Sequence, residues 1–93
     1  SSHTLGTGLT ITAIDALYLV DADTSGPQVC TIPAASTFGA GVQLVVKNTN
    51  QTNDMTLRTS GGSIDGTSGT SGITLATHGS VTLVSDGSNF HIL

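Results

Sequence analysis

The chain has 93 residues, enough for one compact domain and too few for two. It carries six Asp, no Glu, and only Lys47 and Arg58 as cations, for a net charge of −4. Two separated cations cannot neutralise a run of phosphates, and no apolar run is long enough to span a membrane as a helix, so composition argues against nucleic-acid binding and membrane insertion.

A domain this small buries only about 60–65% of the surface its unfolded chain exposes. Cys30 is the single cysteine, so no internal disulfide can compensate. A metal or a partner chain is the remaining support. Charged residues make up 9% of the chain, against a usual ~25%. Thr and Ser supply 27 residues and Gly 12, so hydroxyls and amides must carry solubility. This suits a surface exposed outside a cell better than a cytosolic enzyme.

The N-terminal Ser1-Ser2-His3-Thr4 has neither the charged nor the apolar region of a signal peptide. It also lacks an initiating Met, which implies either removal of that Met or a domain of a longer chain. Apolar residues then recur with period two, the strand signal. Leu9, Ile11 and Ala13 alternate with Thr10 and Thr12. Ala16 to Val20 reads as a strand buried on both faces, and Gln28 to Ile32 as a short strand stopped by Pro33. Ala34 to Phe38 allows a single helical turn. Val42 to Lys47, Met55 to Arg58, Ile73 to Leu75, Val81 to Leu83 and Phe90 to Leu93 complete the strand set.

Turn chemistry separates these runs. Asp21 to Pro27, Gly39 to Gly41 and Asn48 to Asp54 are polar or glycine-rich. His78-Gly79-Ser80 and Asp86-Gly87-Ser88-Asn89 read as hairpin connections. Gly61 to Gly72 reads as a flexible Thr-Ser-Gly loop in which Ile64 plugs back into the core. About eight short strands at roughly 8–12-residue spacing predict an all-β fold, a small antiparallel β-sandwich or barrel of jelly-roll type, forming one domain over 1–93. Tyr18, Val20, Val45, Val84 and Leu93 fall on the side opposite the main core set. They form a candidate oligomer interface, with a closed barrel that internalises both sets as the alternative.

Asp21-Ala22-Asp23-Thr24-Ser25-Gly26 matches the first half of a calcium loop, with Asp21, Asp23 and Ser25 as ligands. The twelfth position, where a bidentate Glu belongs, is Ile32, and Pro27 follows the glycine. An ordinary Asp/Ser-capped turn explains the segment better. His3, His78 and His91 share no metal-ligand spacing. No G-x-S-x-G elbow is present, and Cys30 lies inside a strand pattern. Asp65 and Asp86 are the most plausible pair of glycosidase carboxylates, but both lie in turn sequences that account for them without catalysis. No catalytic residue and no cofactor is therefore assigned.

Three segments together carry a resemblance. They are Thr31-Ile32-Pro33-Ala34-Ala35-Ser36, Gly61-Gly62-Ser63-Ile64-Asp65-Gly66, and Ser80-Val81-Thr82-Leu83-Val84-Ser85-Asp86-Gly87-Ser88-Asn89-Phe90. In this order, with Val42 to Asn48 as the intervening strand, about two thirds of the chain resembles a β module of tailed-phage virion surfaces. That module recurs in head-fibre, tail-fibre and capsid decoration proteins. The chain departs from it in its closing Phe90, where Trp is commoner, and in its Thr-Ser-Gly insert. The resemblance implies an all-β homotrimer on the virion surface, in contact with other capsid or tail proteins, and implies no catalytic residues. The expected function is that of a trimeric exterior capsid decoration or head-fibre module. The alternative is a tail-fibre or receptor-binding knob that holds a host surface glycan among Thr and Asn loops such as Asn48 to Asp54.

Overall fold

A computed structural model describes residues 1–26 and 28–93; Pro27, which belongs to the Asp21–Pro27 turn and the calcium-loop reading, lies outside the described residues. The strands are β1 (Ser2–Thr4), β2 (Leu9–Thr10), β3 (Leu17–Asp21), β4 (Val29–Ile32), β5 (Gln43–Asn48), β6 (Met55–Thr59), β7 (Ser63–Ile64), β8 (Thr67–Ser68), β9 (Ile73–Leu75), β10 (Ser80–Ser85) and β11 (Phe90–Ile92). One helical turn, α1 (Ala35–Phe38), follows Pro33 and stops at Gly39, whose φ of 93° no other residue adopts easily. The protein is an all-β domain of two mixed sheets. One has seven strands in the order β1-β3-β5-β10-β11-β7-β8, the other four in the order β2-β4-β6-β9.

Up to Thr59 the chain winds. Odd strands β1, β3 and β5 stack in parallel in the larger sheet, and even strands β2, β4 and β6 stack in parallel in the smaller one. Each turn therefore carries the chain across to the opposite sheet. After β6 the direction reverses. Strand β9 pairs antiparallel with β6, and β10 pairs antiparallel with β5 and β11.

This corrects the antiparallel expectation: among the described residues, five of the nine strand pairings are parallel. The reason is physical. Asp, Gly and Asn clusters relieve backbone strain in a hairpin and in an arch between sheets alike, so turn composition cannot separate the two. His78-Gly79-Ser80, read as a hairpin, in fact joins β9 in one sheet to β10 in the other.

The core lies between the sheets. Tyr18, Val20, Leu44, Val46, Leu83 and Phe90 point in from the larger sheet, and Cys30, Ile32, Met55, Leu57 and Leu75 from the smaller. Leu5 and Ile11, in the connections around β2, are also buried.

Two side chains assigned to the second face are thus corrected: Tyr18 and Val20 are fully buried. Every position from Ala16 to Val20 is apolar, so alternation there has no phase to read. The tyrosine hydroxyl satisfies itself locally, donating to Ala13 O at 2.7 Å and accepting from Asp15 N at 3.0 Å. Nor is that strand buried on both faces, because Leu17 is 41% exposed.

Candidate functional site

The three segments that carry the resemblance converge on one region. Ile64 in β7 lies opposite Phe90 in β11, in parallel register, and both are fully buried. The Phe90 ring meets Phe38 of α1 edge-on at 5.7 Å between centroids. Ser85 Oγ, also buried, donates to Ala35 O at 2.8 Å. Asn89 Oδ1 accepts from the Ser63 amide at 3.0 Å and the Ser63 hydroxyl at 3.1 Å. Gly62, at φ 75°, passes so close that a Cβ there would sit 2.5 Å from Ser88 O. Each segment therefore supplies what the others need: a helical turn, an apolar plug, and a hairpin that closes over both.

The Gly61 to Gly72 segment is not an irregular loop. It forms the β7–β8 hairpin, and Ile64 does plug the core. Gly69 is buried against Thr59 and the carbonyls of Gly61 and Gly62, a position with no room for a side chain. Low-complexity composition hid this order. Small residues serve flexible linkers and close backbone packing equally well.

Asp65 and Asp86 are brought together, though around a base. His91 Nε2 lies 2.8 Å from Asp86 Oδ2, and His91 Nδ1 lies 3.9 Å from Asp65 Oδ1. Asp86 Oδ1 also accepts from the amides of Ser88 and Asn89. The His91 hydrogen bond, followed by those two amides, lowers the Asp86 carboxyl to about 2. A general acid of a glycosidase needs the opposite shift. Asp65, held at φ 47°, accepts from the Ile92 amide and so fastens the β7–β8 turn to the last strand.

The two carboxylates of the calcium-loop reading bond to different loops. Asp21 Oδ1 accepts from Asn50 Nδ2 at 2.9 Å, and Asp23 Oδ1 accepts from the Gly6 amide at 2.8 Å. Ser25 O receives a long contact of 3.5 Å from Gln28 Nε2. These carboxylates tie neighbouring loops together. Among the described residues, no three His, Cys, Asp or Glu side chains cluster in a way that could hold a metal ion.

In the loop proposed to hold sugar, the Asn48, Asn50 and Asn53 amides are likewise engaged in the fold, while Gln51 is exposed. Asn48 is fully buried, with Nδ2 donating to Asn53 O at 2.8 Å and Ala76 O at 3.2 Å. Its Oδ1 accepts from the Asn50 amide, and Asn53 Nδ2 reaches Ala22 O at 2.9 Å. Sequence reasoning missed Asn48 as a structural hub, and the only signal was its place at the end of a period-two strand.

Of the remaining second-face residues, Val45 and Val84 are half-buried and Leu93 is 66% exposed. Leu17, Val45 and Thr82 lie in one cross-strand row, which the Leu93 amide continues by donating to Thr82 O. This row runs along the outer face of the larger sheet. Leu19 and Val84 flank it, and Lys47 is the face's one amine, with Nζ donating to His78 O at 2.7 Å. Leu17 and Leu19 were missed for the same reason that Tyr18 and Val20 were misassigned.

No protein-family model, no curated protein and no solved structure matches the chain.

Proposed function

We propose that this chain is a structural module of a tailed-phage virion, a homotrimeric exterior decoration or head-fibre domain that offers shape rather than catalysis. The observation that carries the reading is the outer face of the seven-stranded sheet. Leu17, Leu19, Val45, Val84 and Leu93 form an apolar patch there, bordered by Lys47 beside Leu19 and by His91 beside Val84. Contact with sister copies would remove that surface from water. The convergence of the three resembling segments supports the same reading, because it explains their ordered occurrence by packing alone. The two-layer packing is also in keeping with a sandwich-type module, with parallel winding in place of jelly-roll connections.

Two measurements test this. Sedimentation at micromolar concentration is expected to give a trimer, and a stable folded monomer would overturn the oligomer. Antibodies against the chain are expected to label the exterior of intact particles of the encoding phage, and unlabelled particles would overturn the virion assignment.

A second reading is a receptor-binding knob for a host glycan. The outer face of the smaller sheet favours it, being rich in threonine. The Asn48 to Asp54 loop offers less, since its three asparagine amides are bonded within the fold.

A further inference from the structure

We infer that the outer face of the four-stranded sheet binds a sugar chain bearing a carboxylate, with Arg58 as the group that recognises the acid. The inference rests on the glycan reading and moves it from the Asn48 to Asp54 loop to a different surface.

The case starts from charge. The ion pairs among the described residues join the N-terminal ammonium to Asp15, and His91 to Asp65 and Asp86, so none of them involves Arg58. Asp21, Asp23 and Asp54 accept hydrogen bonds from Asn50, Gly6 and Thr77. The chain has six carboxylates. No carboxylate is thus paired with Arg58; its Nε is shielded from solvent without a partner among the described residues, so a ligand would meet the terminal amino groups of the guanidinium. A guanidinium presents a planar fork of donors that matches a carboxylate.

The surroundings suit a sugar. Arg58 on β6 stands in register with Thr31 on β4 and Thr10 on β2. The next outward row holds Val29, Thr56 and Thr74. Strand spacing sets these side chains about 4.8 Å apart across the sheet. Thr10 and Thr74 are exposed and Thr31 and Thr56 half-exposed, so hydroxyls can meet sugar hydroxyls while methyls and Val29 meet C–H faces. Gly72, at φ 75°, lies where a side chain would collide with the Arg58 stem, which keeps that part of the face low. Hollows flank the face. One of about 250 Å³ lies beside Thr10, Thr12, Ile32 and Ser60, and one of about 80 Å³ beside Thr56 and Thr74, where Asp54 also lines it and sets the end of the face away from Arg58 against an acid group.

The net charge of −4 selects the ligand further. A densely charged polyanion would be repelled, whereas a mostly neutral chain with an occasional uronic acid would be accepted.

The experiment is an amide NMR titration of the full chain with xylotetraose bearing one glucuronate, and with unsubstituted xylotetraose as control. The expected result is shifts confined to β2, β4, β6 and β9 with the acidic sugar, and at least tenfold weaker binding of the neutral one. Arg58→Gln is expected to abolish that preference and Arg58→Lys to weaken it, with both variants giving wild-type spectra elsewhere. Equal affinity for the two sugars, shifts on another surface, or an unchanged preference in Arg58→Gln would overturn the role of Arg58. The same shifts with inorganic sulfate alone would overturn the sugar assignment. Should Arg58→Gln not fold, Thr31→Val supplies the test, with weaker binding of both sugars expected and unchanged binding overturning the site. Failure of both sugars to bind the wild type would overturn this site. Binding of intact host polysaccharide by the same sample, detected by co-sedimentation, would then leave the broader glycan reading standing.

Discussion

Ile64 and Phe90 lie side by side in parallel register although they are 26 positions apart, and they join a two-residue strand to the last strand of the chain. Neither residue reaches solvent. Strand β7 is only two residues long and cannot be held by ladder hydrogen bonds alone. Burial of Ile64 against Phe90 fixes it, with the Asp65 amide donating to Phe90 O at 3.0 Å and the Asn89 side chain holding Ser63.

This region should therefore be sensitive to substitution. Phe90→Ala removes a fully buried ring and its edge contact with Phe38. It is expected to cost about 3–5 kcal/mol, a large part of the stability of so small a domain. Gly62→Ala, which sets a methyl against Ser88 O at positive φ, should cost more than about 1 kcal/mol. Urea denaturation measures both. Losses below 1 kcal/mol in Phe90→Ala would show that the hairpin is held by something else.

Asn48 supplies a second test. Its amide donates to backbone carbonyls inside the fold, and an Asp in its place would aim a carboxylate at those same oxygens. Asn48→Asp is expected to lose about 3–5 kcal/mol at pH 7. Burial raises the pKa of such a carboxyl in the folded state, so the protonated form is favoured there. The deficit relative to wild type should be smallest in acid and grow as pH rises through that raised value. Melting temperatures of both proteins between pH 4 and 8 check this, and a deficit independent of pH would rule out the buried charge as its cause.

The contrast between Phe90 and Tyr18 shows what the sequence could reveal. Phe90 follows an Asp-Gly-Ser-Asn turn and alternates with His91, so its inward direction is readable from local chemistry. Tyr18 sits in a run with no polar neighbour to set the phase. Strand positions for β5, β6 and β9 to β11 were legible from period two, β3 from its apolar run, β4 from its stop at Pro33, and α1 from Pro33 and Gly39. The winding between sheets was not, because parallel or antiparallel pairing is decided by which long-range partner a strand finds. Arg58 was legible only as one of two cations. That it faces a surface of threonines emerges from register alone.

Asp86 predicts a specific acid response. Its folded pKa of about 2 lies below its ordinary value of 3.8. A group lowered on folding contributes stability that is present above the unfolded pKa and is lost as pH falls through the folded one. The loss should therefore fall between about pH 4 and pH 2. Asp15, lowered by its contact with the N-terminal ammonium, acts in the same direction. Asp86→Asn keeps an acceptor for the Ser88 and Asn89 amides and removes the charge. It should flatten the melting-temperature profile across this window; a profile as steep as wild type would remove Asp86 from the explanation.

Cys30 offers a probe of global opening. Burial pushes its thiol up to about 11, and its side chain has no access to solvent. A thiol reagent at pH 8 is expected to label it only through unfolding, at a rate that rises with urea in step with loss of structure. Rapid labelling in native buffer would mean that β4 opens locally.

The outer face of the larger sheet yields the decisive mutation for assembly. Val45 stands between Leu17 and Thr82 in the exposed row, half-buried in the isolated chain. Val45→Asp places a charge at the middle of that row and touches none of the inward residues. Its cost to the isolated fold should stay near 1 kcal/mol, the loss of β propensity at a surface strand position. In a trimer built on this face, each subunit would bring the same charge to a desolvated contact, which strongly disfavours association. Sedimentation is therefore expected to show a folded monomer for Val45→Asp where the wild type forms a trimer. A variant that stays trimeric would move the contact to another surface, the edge formed by β1 and β2 being the next to test.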